Sequence, residues 1–128
     1  MKYYPVNLNI AGKKVLVVGG GSVATRKVER LCERGADITV IAPEISQEIK
    51  KLADEKSLKA IERNYETGDE KGMFAVFCAV SAGKENSKME KKLYERCLKK
   101  NILINIADKP DLCTFTLPAL VSRGKFDI

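Results

Sequence analysis

The sequence feature that most constrains the fold is a short apolar run that ends in three consecutive glycines. Residues 14–18 read Lys-Val-Leu-Val-Val, and Gly19-Gly20-Gly21 follows at once. A continuous apolar run of this length is typical of a strand buried on both faces of a parallel sheet. The glycines permit a tight turn directly after it. This part of the chain therefore predicts a buried strand, a sharp turn and the start of a helix.

The rest of the chain alternates between helix and strand patterns. The first helix is predicted to end at Gly35. Its apolar face carries Ala24, Val28, Leu31 and Cys32. The elements predicted next are a strand at 37–41, a helix with Ile45, Ile49, Leu52 and Ala53 on its apolar face, strands at 57–64 and 73–80, a helix marked by Met89, Leu93 and Cys97, and a strand at 102–106. Strands separated by helices require a parallel sheet with right-handed crossovers.

These elements predict an α/β fold of the Rossmann type, with a doubly wound and mainly parallel sheet. The 128 residues fit one domain over residues 1–128. The tail predicts a short helix at 118–122 and the beginning of a strand at 125–128. We therefore expect the sheet to be truncated at the start of its last strand.

Composition and charge narrow the possible partners. The chain has 45% hydrophobic and 31% charged residues, which is typical of a soluble globular protein. It has neither a run of about eighteen apolar residues nor an apolar signal core, so we expect a cytoplasmic protein without a membrane partner. The net charge of +6 is spread over separate Lys and Arg pairs rather than a stripe with aromatic residues. Nucleic-acid binding is therefore disfavoured, and an anionic small molecule stays open as a partner.

The chain contains four cysteines and no histidine. The cysteines, at positions 32, 78, 97 and 113, form no Cys-x-x-Cys pair, so we predict no metal site. Reduced cysteines at apolar positions act as small hydrophobic residues. Without histidine, acid–base chemistry must fall on a carboxylate, Lys, Cys or Tyr.

The glycine turn fits the G-x-G-x-x-G/A pattern of dinucleotide-binding folds, with Gly19, Gly21 and Ala24 at its three fixed positions. The first residue permits the turn, the second lets a pyrophosphate approach the backbone, and the third lets helix and strand pack closely. The helix N-terminus adds free N–H groups and a positive dipole. The motif follows an apolar strand and opens an apolar-striped helix, which favours a dinucleotide over a turn needed only for packing.

The end of the second strand bears on which dinucleotide is bound. NAD-binding domains often carry an acidic residue there for the ribose hydroxyls. In this chain Glu44 comes late, after Pro43, so its reach to the ribose stays open. No Arg follows at once to neutralise a 2′-phosphate, and NAD is therefore favoured over NADP.

A second polar cluster follows the strand predicted at 102–106. Asp108 comes two residues after the apolar run, at the sheet edge where α/β folds bind ligands, and we expect it to point into the crevice. Beside a nicotinamide, its carboxylate could act as a general base. Asp108-Lys109-Pro110-Asp111 could equally be a plain turn, because Asp and Pro start turns for local reasons.

Three segments together resemble the precorrin-2 dehydrogenase family, the N-terminal type of domain in siroheme synthases. They are VVGGGSVATRK at 17–27, GADITVIAPE at 35–44, and NIADKPDLCTF at 105–115 with Pro118-Ala119 after it. The resemblance implies oxidation of precorrin-2 to sirohydrochlorin with NAD⁺, and in some members insertion of Fe²⁺ to give siroheme. It implies NAD contacts at Gly21, Ser22, Val23, Pro43 and Glu44. It also implies a catalytic carboxylate at Asp108 and a substrate pocket shaped by Asn105 and Phe115.

Two departures from the family qualify this prediction. Family members commonly have a Thr-Asp-Asp-like stretch after the fourth strand, whereas this chain reads Val80-Ser81-Ala82-Gly83. Val80 nevertheless lies at the expected cofactor edge. The family also continues beyond position 128 into a dimerisation region and a helical domain, so we expect a homodimer for the full-length protein. The alternative function is a non-catalytic NAD-sensing module, which has no need of the cluster around Asp108.

Overall fold

Five parallel strands form one sheet in the order β3-β2-β1-β4-β5. The structure is a computed structural model that describes residues 2–55 and 57–118. Its elements are β1 (Lys14–Val18), α1 (Ser22–Glu33), β2 (Asp37–Ala42), α2 (Gln47–Asp54), β3 (Leu58–Glu62), β4 (Ala75–Cys78), α3 (Lys84–Lys99) and β5 (Leu103–Ile106), followed by a single 3₁₀ turn at Pro110–Leu112. The prediction of a parallel, Rossmann-type α/β fold is confirmed.

The strand order places a topological switch beside β1. The chain moves outward from β1 to β2 and β3, and then crosses back to β4 and β5 on the other side. At the carboxyl end of β1, Val18 is in register with Ile41 of β2 and with Cys78 of β4. The loops after these strands leave in different directions there, which opens a crevice for a ligand.

The alternating side chains of β1 reach two separate cores. Val15 and Val17 are buried against α1 and α2, whereas Leu16 and Val18 are buried against α3. A strand covered by helices on both faces must be apolar throughout, which explains the continuous run at 14–18. Helices therefore cover both faces of the sheet, as the doubly wound prediction requires.

Several element bounds differ from the predictions. β4 is shorter than the apolar run at 73–80, and Ile45 is buried just before α2 rather than within it. Pro118 lies in neither helix nor strand, and the rest of the predicted tail helix and the final strand fall outside the described residues. No helix in the part of the chain that the structure describes is long and apolar enough to cross a membrane.

Candidate functional site

A cleft of about 910 Å³ opens at the carboxyl ends of β1, β2 and β4. Its walls come from the glycine turn, from the loop between β2 and α2, and from the loop between β4 and α3. Among its lining residues are Gly19, Gly20, Gly21, Ser22, Pro43, Glu44, Ser46, Tyr65, Val80 and Met89. The cleft thus occupies the crevice expected at the topological switch.

Two of the three glycines are required by close contacts of the turn. Gly19 has a φ of +130°, and a β-carbon there would lie 2.1 Å from the carbonyl oxygen of Ala79. A β-carbon at Gly20 would lie 2.1 Å from the carbonyl oxygen of Glu44. The turn is therefore held between the loops that follow β2 and β4, where any side chain would collide with backbone.

Gly21 faces open space instead. It is the N-cap of α1 with a φ of −87°, and nothing lies within 4 Å of a β-carbon added to it. No side chain caps α1, and its first turn contains no acidic residue. The first N–H groups and the positive end of the helix dipole are thus available to an anion. This arrangement fits the pyrophosphate of a dinucleotide.

Other residues of the predicted cofactor site lie in different environments. Ser22, Pro43 and Glu44 are exposed and line the cleft, together with half-buried Val80. Val23 and Ala24 are not among the lining residues. The side chain of Val23 faces solvent, whereas Ala24 is fully buried. A β-carbon at Gly19 would lie 3.5 Å from that of Ala24, so Ala24 packs α1 closely on the turn, as the third motif position requires.

A pair of hydroxyl groups joins the two helices beside the cleft, which the sequence analysis did not predict. Thr25 Oγ1 donates to the carbonyl oxygen of Gly21 at 2.7 Å and lies 2.7 Å from Ser46 Oγ. Because the Thr25 proton is already used, Ser46 donates to Thr25. Ser46 Oγ also accepts from the N–H of Ile49 at 3.2 Å and so caps α2. A serine three residues before Ile49 was the available signal for this cap.

None of the three site residues predicted in and after β5 lines the cleft. Asn105 is almost fully buried, and its Nδ2 donates to the carbonyl oxygen of Phe115 at 3.0 Å. The Phe115 ring meets Phe77 edge-on, with centroids 5.6 Å apart. Asp108 is exposed on the turn after β5 and does not line the cleft. The structure therefore joins Asn105 to Phe115, and it leaves Asp108 exposed outside the cleft lining rather than in the crevice where it was expected.

A buried carboxylate anchors the loop between β3 and β4. Glu70 is fully buried and accepts hydrogen bonds from Lys100 Nζ at 2.5 Å and from the hydroxyl of Tyr65. Burial acts to raise the pKa of Glu70, but the bonds from Lys100, Tyr65 and Gly68 prevail and lower this pKa to about 2. Burial and the bond to Glu70 raise the pKa of Tyr65. Tyr65 itself lines the cleft, so this network also shapes one of its walls.

The two buried cysteines do not have the low pKa of a nucleophilic thiol. Burial is the main cause that raises the pKa of Cys78 and of Cys97, each to about 12. Both thiols therefore stay protonated at neutral pH. Among the described residues, no group of three or more potential ligands could hold a metal ion.

Comparison with known proteins identifies the family of the chain. The model of a family described as "Putative NAD(P)-binding" matches residues 6–119. The chain belongs to this family. The nicotinamide dinucleotide predicted from the glycine turn is therefore confirmed as the cofactor class at the level of the family.

Curated relatives and a solved structure place this NAD(P)-binding domain more closely. A siroheme synthase of Nitrosococcus oceani is 36% identical over 97% of this chain, and one of Neisseria meningitidis is 34% identical over 100% of it. A solved structure described as "SirC, precorrin-2 dehydrogenase" matches with a TM-score of 0.78 and 32% identity, over 96% of this chain and 58% of that one. The resemblance to the precorrin-2 dehydrogenase family is confirmed. The chain spans about a quarter of the length of these two siroheme synthases, 26% in each case.

Proposed function

We propose that this chain is the dinucleotide-binding domain of a precorrin-2 dehydrogenase, which oxidises precorrin-2 to sirohydrochlorin in siroheme biosynthesis. The observation that carries the proposal is the uncapped N-terminus of α1, which meets the cleft at Gly21 with open space above it. The similarity to siroheme synthases and to SirC supports the choice of substrate.

We propose NAD rather than NADP as the cofactor. The carboxylate of Glu44 is exposed at the end of β2 and lines the cleft, where it can accept hydrogen bonds from ribose hydroxyls and repel a 2′-phosphate. Gly19, Gly21, Ser22, Pro43 and Val80 complete the proposed contacts. Val23 and Ala24 contribute through the backbone of the first turn of α1.

Bound NAD⁺ supplies the hydride acceptor, and the chain must supply the proton acceptor. Oxidation of precorrin-2 to sirohydrochlorin removes one hydrogen as hydride and a second as a proton. We propose that the Asp108 carboxylate takes this proton, because it is exposed at the carboxyl end of β5. Asn105 and Phe115, which are joined by a hydrogen bond, are proposed to shape the substrate pocket.

Three further parts of the proposal concern the full-length protein. It is proposed to form a homodimer, to act in the cytoplasm, and to accept Fe²⁺ as a second substrate for insertion into sirohydrochlorin. Fe²⁺ or Co²⁺ added to sirohydrochlorin with the full-length protein tests the last point. Formation of metallated product supports a chelatase activity, and unchanged sirohydrochlorin restricts the enzyme to dehydrogenation.

The main experiment uses the full-length protein with precorrin-2 and NAD⁺. We expect NADH and sirohydrochlorin to appear together, and NADP⁺ to be a poorer acceptor. Tight NAD binding with no affinity for the tetrapyrrole would instead indicate a sensing module. Strongly salt-dependent DNA binding would indicate a nucleic-acid partner.

A further inference from the structure

The turn after β5 holds Asp108 in a backbone conformation that few side chains adopt. Asp108 has a φ of +63°, in the left-handed region that costs energy for residues other than glycine. Its exposed carboxylate has no hydrogen bond or ion pair with any other residue that the structure describes. The direction of this carboxylate therefore depends on how firmly the backbone of the turn is held.

Backbone hydrogen bonds hold the turn on both sides of Asp108. The N–H of Ala107 donates to the carbonyl oxygen of Cys78 at 2.9 Å, which extends the pairing of β5 with β4. The N–H of Lys109 donates to the carbonyl oxygen of Ile106 at 3.1 Å. The carbonyl oxygen of Lys109 accepts in turn from the N–H of Leu112 at 2.9 Å, which joins Lys109 to the 3₁₀ turn. None of these bonds reaches α3.

The side chain of Lys109 adds an attachment to α3. Its Nζ forms an ion pair with Oε1 of Glu90 and donates to Oγ of Ser87 at 3.3 Å. Both partners lie on α3, the helix that covers this face of β4 and β5. Lys109 thus links the residue directly after Asp108 to a rigid element of the fold.

Burial makes this ion pair persistent. The side chain of Glu90 is 6% exposed, and Lys109 is its only ion-pair partner among the described residues. A buried carboxylate without a partner is strongly disfavoured, so the pair stays formed while α3 is packed. Neither Glu90 nor Lys109 lines the cofactor cleft. A change in either residue should therefore leave NAD binding intact.

We infer that the Glu90–Lys109 ion pair is a positioning device that holds the Asp108 turn, and with it the proposed proton acceptor, in its working geometry. This inference rests on the proposed function. Glu90 and Lys109 are positioning residues, since they act through the backbone of Asp108 rather than on the substrate. Small errors in the position of a reacting group reduce turnover more than they reduce binding.

The test measures kcat, KM for precorrin-2 and Kd for NAD⁺ with the full-length protein. We expect Glu90→Gln and Lys109→Met to lower kcat on the order of 10- to 100-fold, with an unchanged Kd for NAD⁺. Lys109→Arg keeps the positive charge and should therefore retain most of the wild-type kcat that Lys109→Met loses. The matched control is the exposed Lys50–Glu62 pair, whose charged atoms are 3.6 Å apart. Lys50→Met and Glu62→Gln should change neither kcat nor the Kd for NAD⁺.

A double variant separates positioning from stability. Glu90→Gln combined with Lys109→Met leaves no unpaired buried charge, so it should fold even if a single variant does not. A folded double variant with low kcat and normal NAD⁺ binding supports the inference, whereas wild-type kcat overturns it. If the wild-type protein forms no NADH, the proposed function itself fails. If the wild type is active and the Glu90 and Lys109 variants keep its kcat, the positioning role fails while the proposed function stands.

Discussion

The backbone nitrogen of Ser46 donates to the carbonyl oxygen of Gly20 at 3.0 Å, which bonds the loop after β2 directly to the glycine turn. The two loops lie so close together that a β-carbon added to Gly20 would be 2.1 Å from the carbonyl oxygen of Glu44. Gly20 occupies a variable position of the G-x-G-x-x-A pattern. Glycine is required there by the packing of two loops rather than by the cofactor.

The first prediction is that Gly20→Ala destabilises the fold. The added methyl group must displace the backbone at Glu44, and overpacking of this kind costs about 1–3 kcal/mol. Urea denaturation of the wild type and the variant measures the change in the free energy of unfolding. Equal unfolding midpoints would show that the loop moves aside without cost.

The second prediction is that Gly21→Ala affects the cofactor and spares the fold. The position is open and has a φ of −87°, so the free energy of unfolding should change by less than about 1 kcal/mol. The methyl group would occupy the space proposed for the pyrophosphate, and the Kd for NAD should rise about tenfold or more. Isothermal titration calorimetry measures this Kd. An unchanged value would remove Gly21 from the proposed site.

The contrast between Gly20 and Gly21 shows how far sequence reasoning reaches. The motif indicated the turn, the helix and a ligand, because these depend on local chain geometry. It did not indicate which glycine serves packing, since that depends on where the loop at Glu44 folds back. The bounds of β1 were predictable because a strand buried on both faces requires one continuous apolar run, and that run begins and ends with the strand. The run at 73–80 overestimated β4 because Met73 still belongs to a turn closed by its bond to Glu70.

Contacts between distant residues were beyond prediction. Glu70 and Lys100 are 30 positions apart, and each is a charged residue of the kind usually found at the surface. Only the fold brings Lys100, at the end of α3, to Glu70 in the loop between β3 and β4. The link between Lys109 and Glu90 was hidden for the same reason, although Asp108 beside it was singled out from the sequence.

The third prediction concerns stability at low pH. The pKa of Glu70 falls from 4.5 to about 2 on folding, so its ionised form stabilises the native state above the unfolded pKa. About 3 kcal/mol of this stabilisation should be lost as the pH falls from about 4.5 to 2. Unfolding measured across this range should show the loss, and Glu70→Gln should flatten that part of the curve. An unchanged slope in the variant would contradict the assignment to Glu70.

The fourth prediction concerns thiol reactivity. Burial raises the pKa of Cys78 and Cys97 to about 12, so both should resist alkylation by iodoacetamide near neutral pH. Cys32 and Cys113 are half-buried and should react earlier. Peptide mapping by mass spectrometry gives the order of labelling, with the denatured protein as the control in which all four react. Rapid labelling of Cys78 in the folded protein would contradict the described packing.

The central claim is that the domain serves a dehydrogenase in which Asp108 accepts the substrate proton. The most direct measurement is the yield of NADH per sirohydrochlorin for the wild-type full-length protein and for Asp108→Asn. Asn tolerates the left-handed conformation, so the fold should persist. We predict one NADH per sirohydrochlorin for the wild type, and turnover at least about 100-fold slower in the variant with an unchanged Kd for NAD⁺. A wild type that forms no NADH, or a variant as fast as the wild type, would contradict this account.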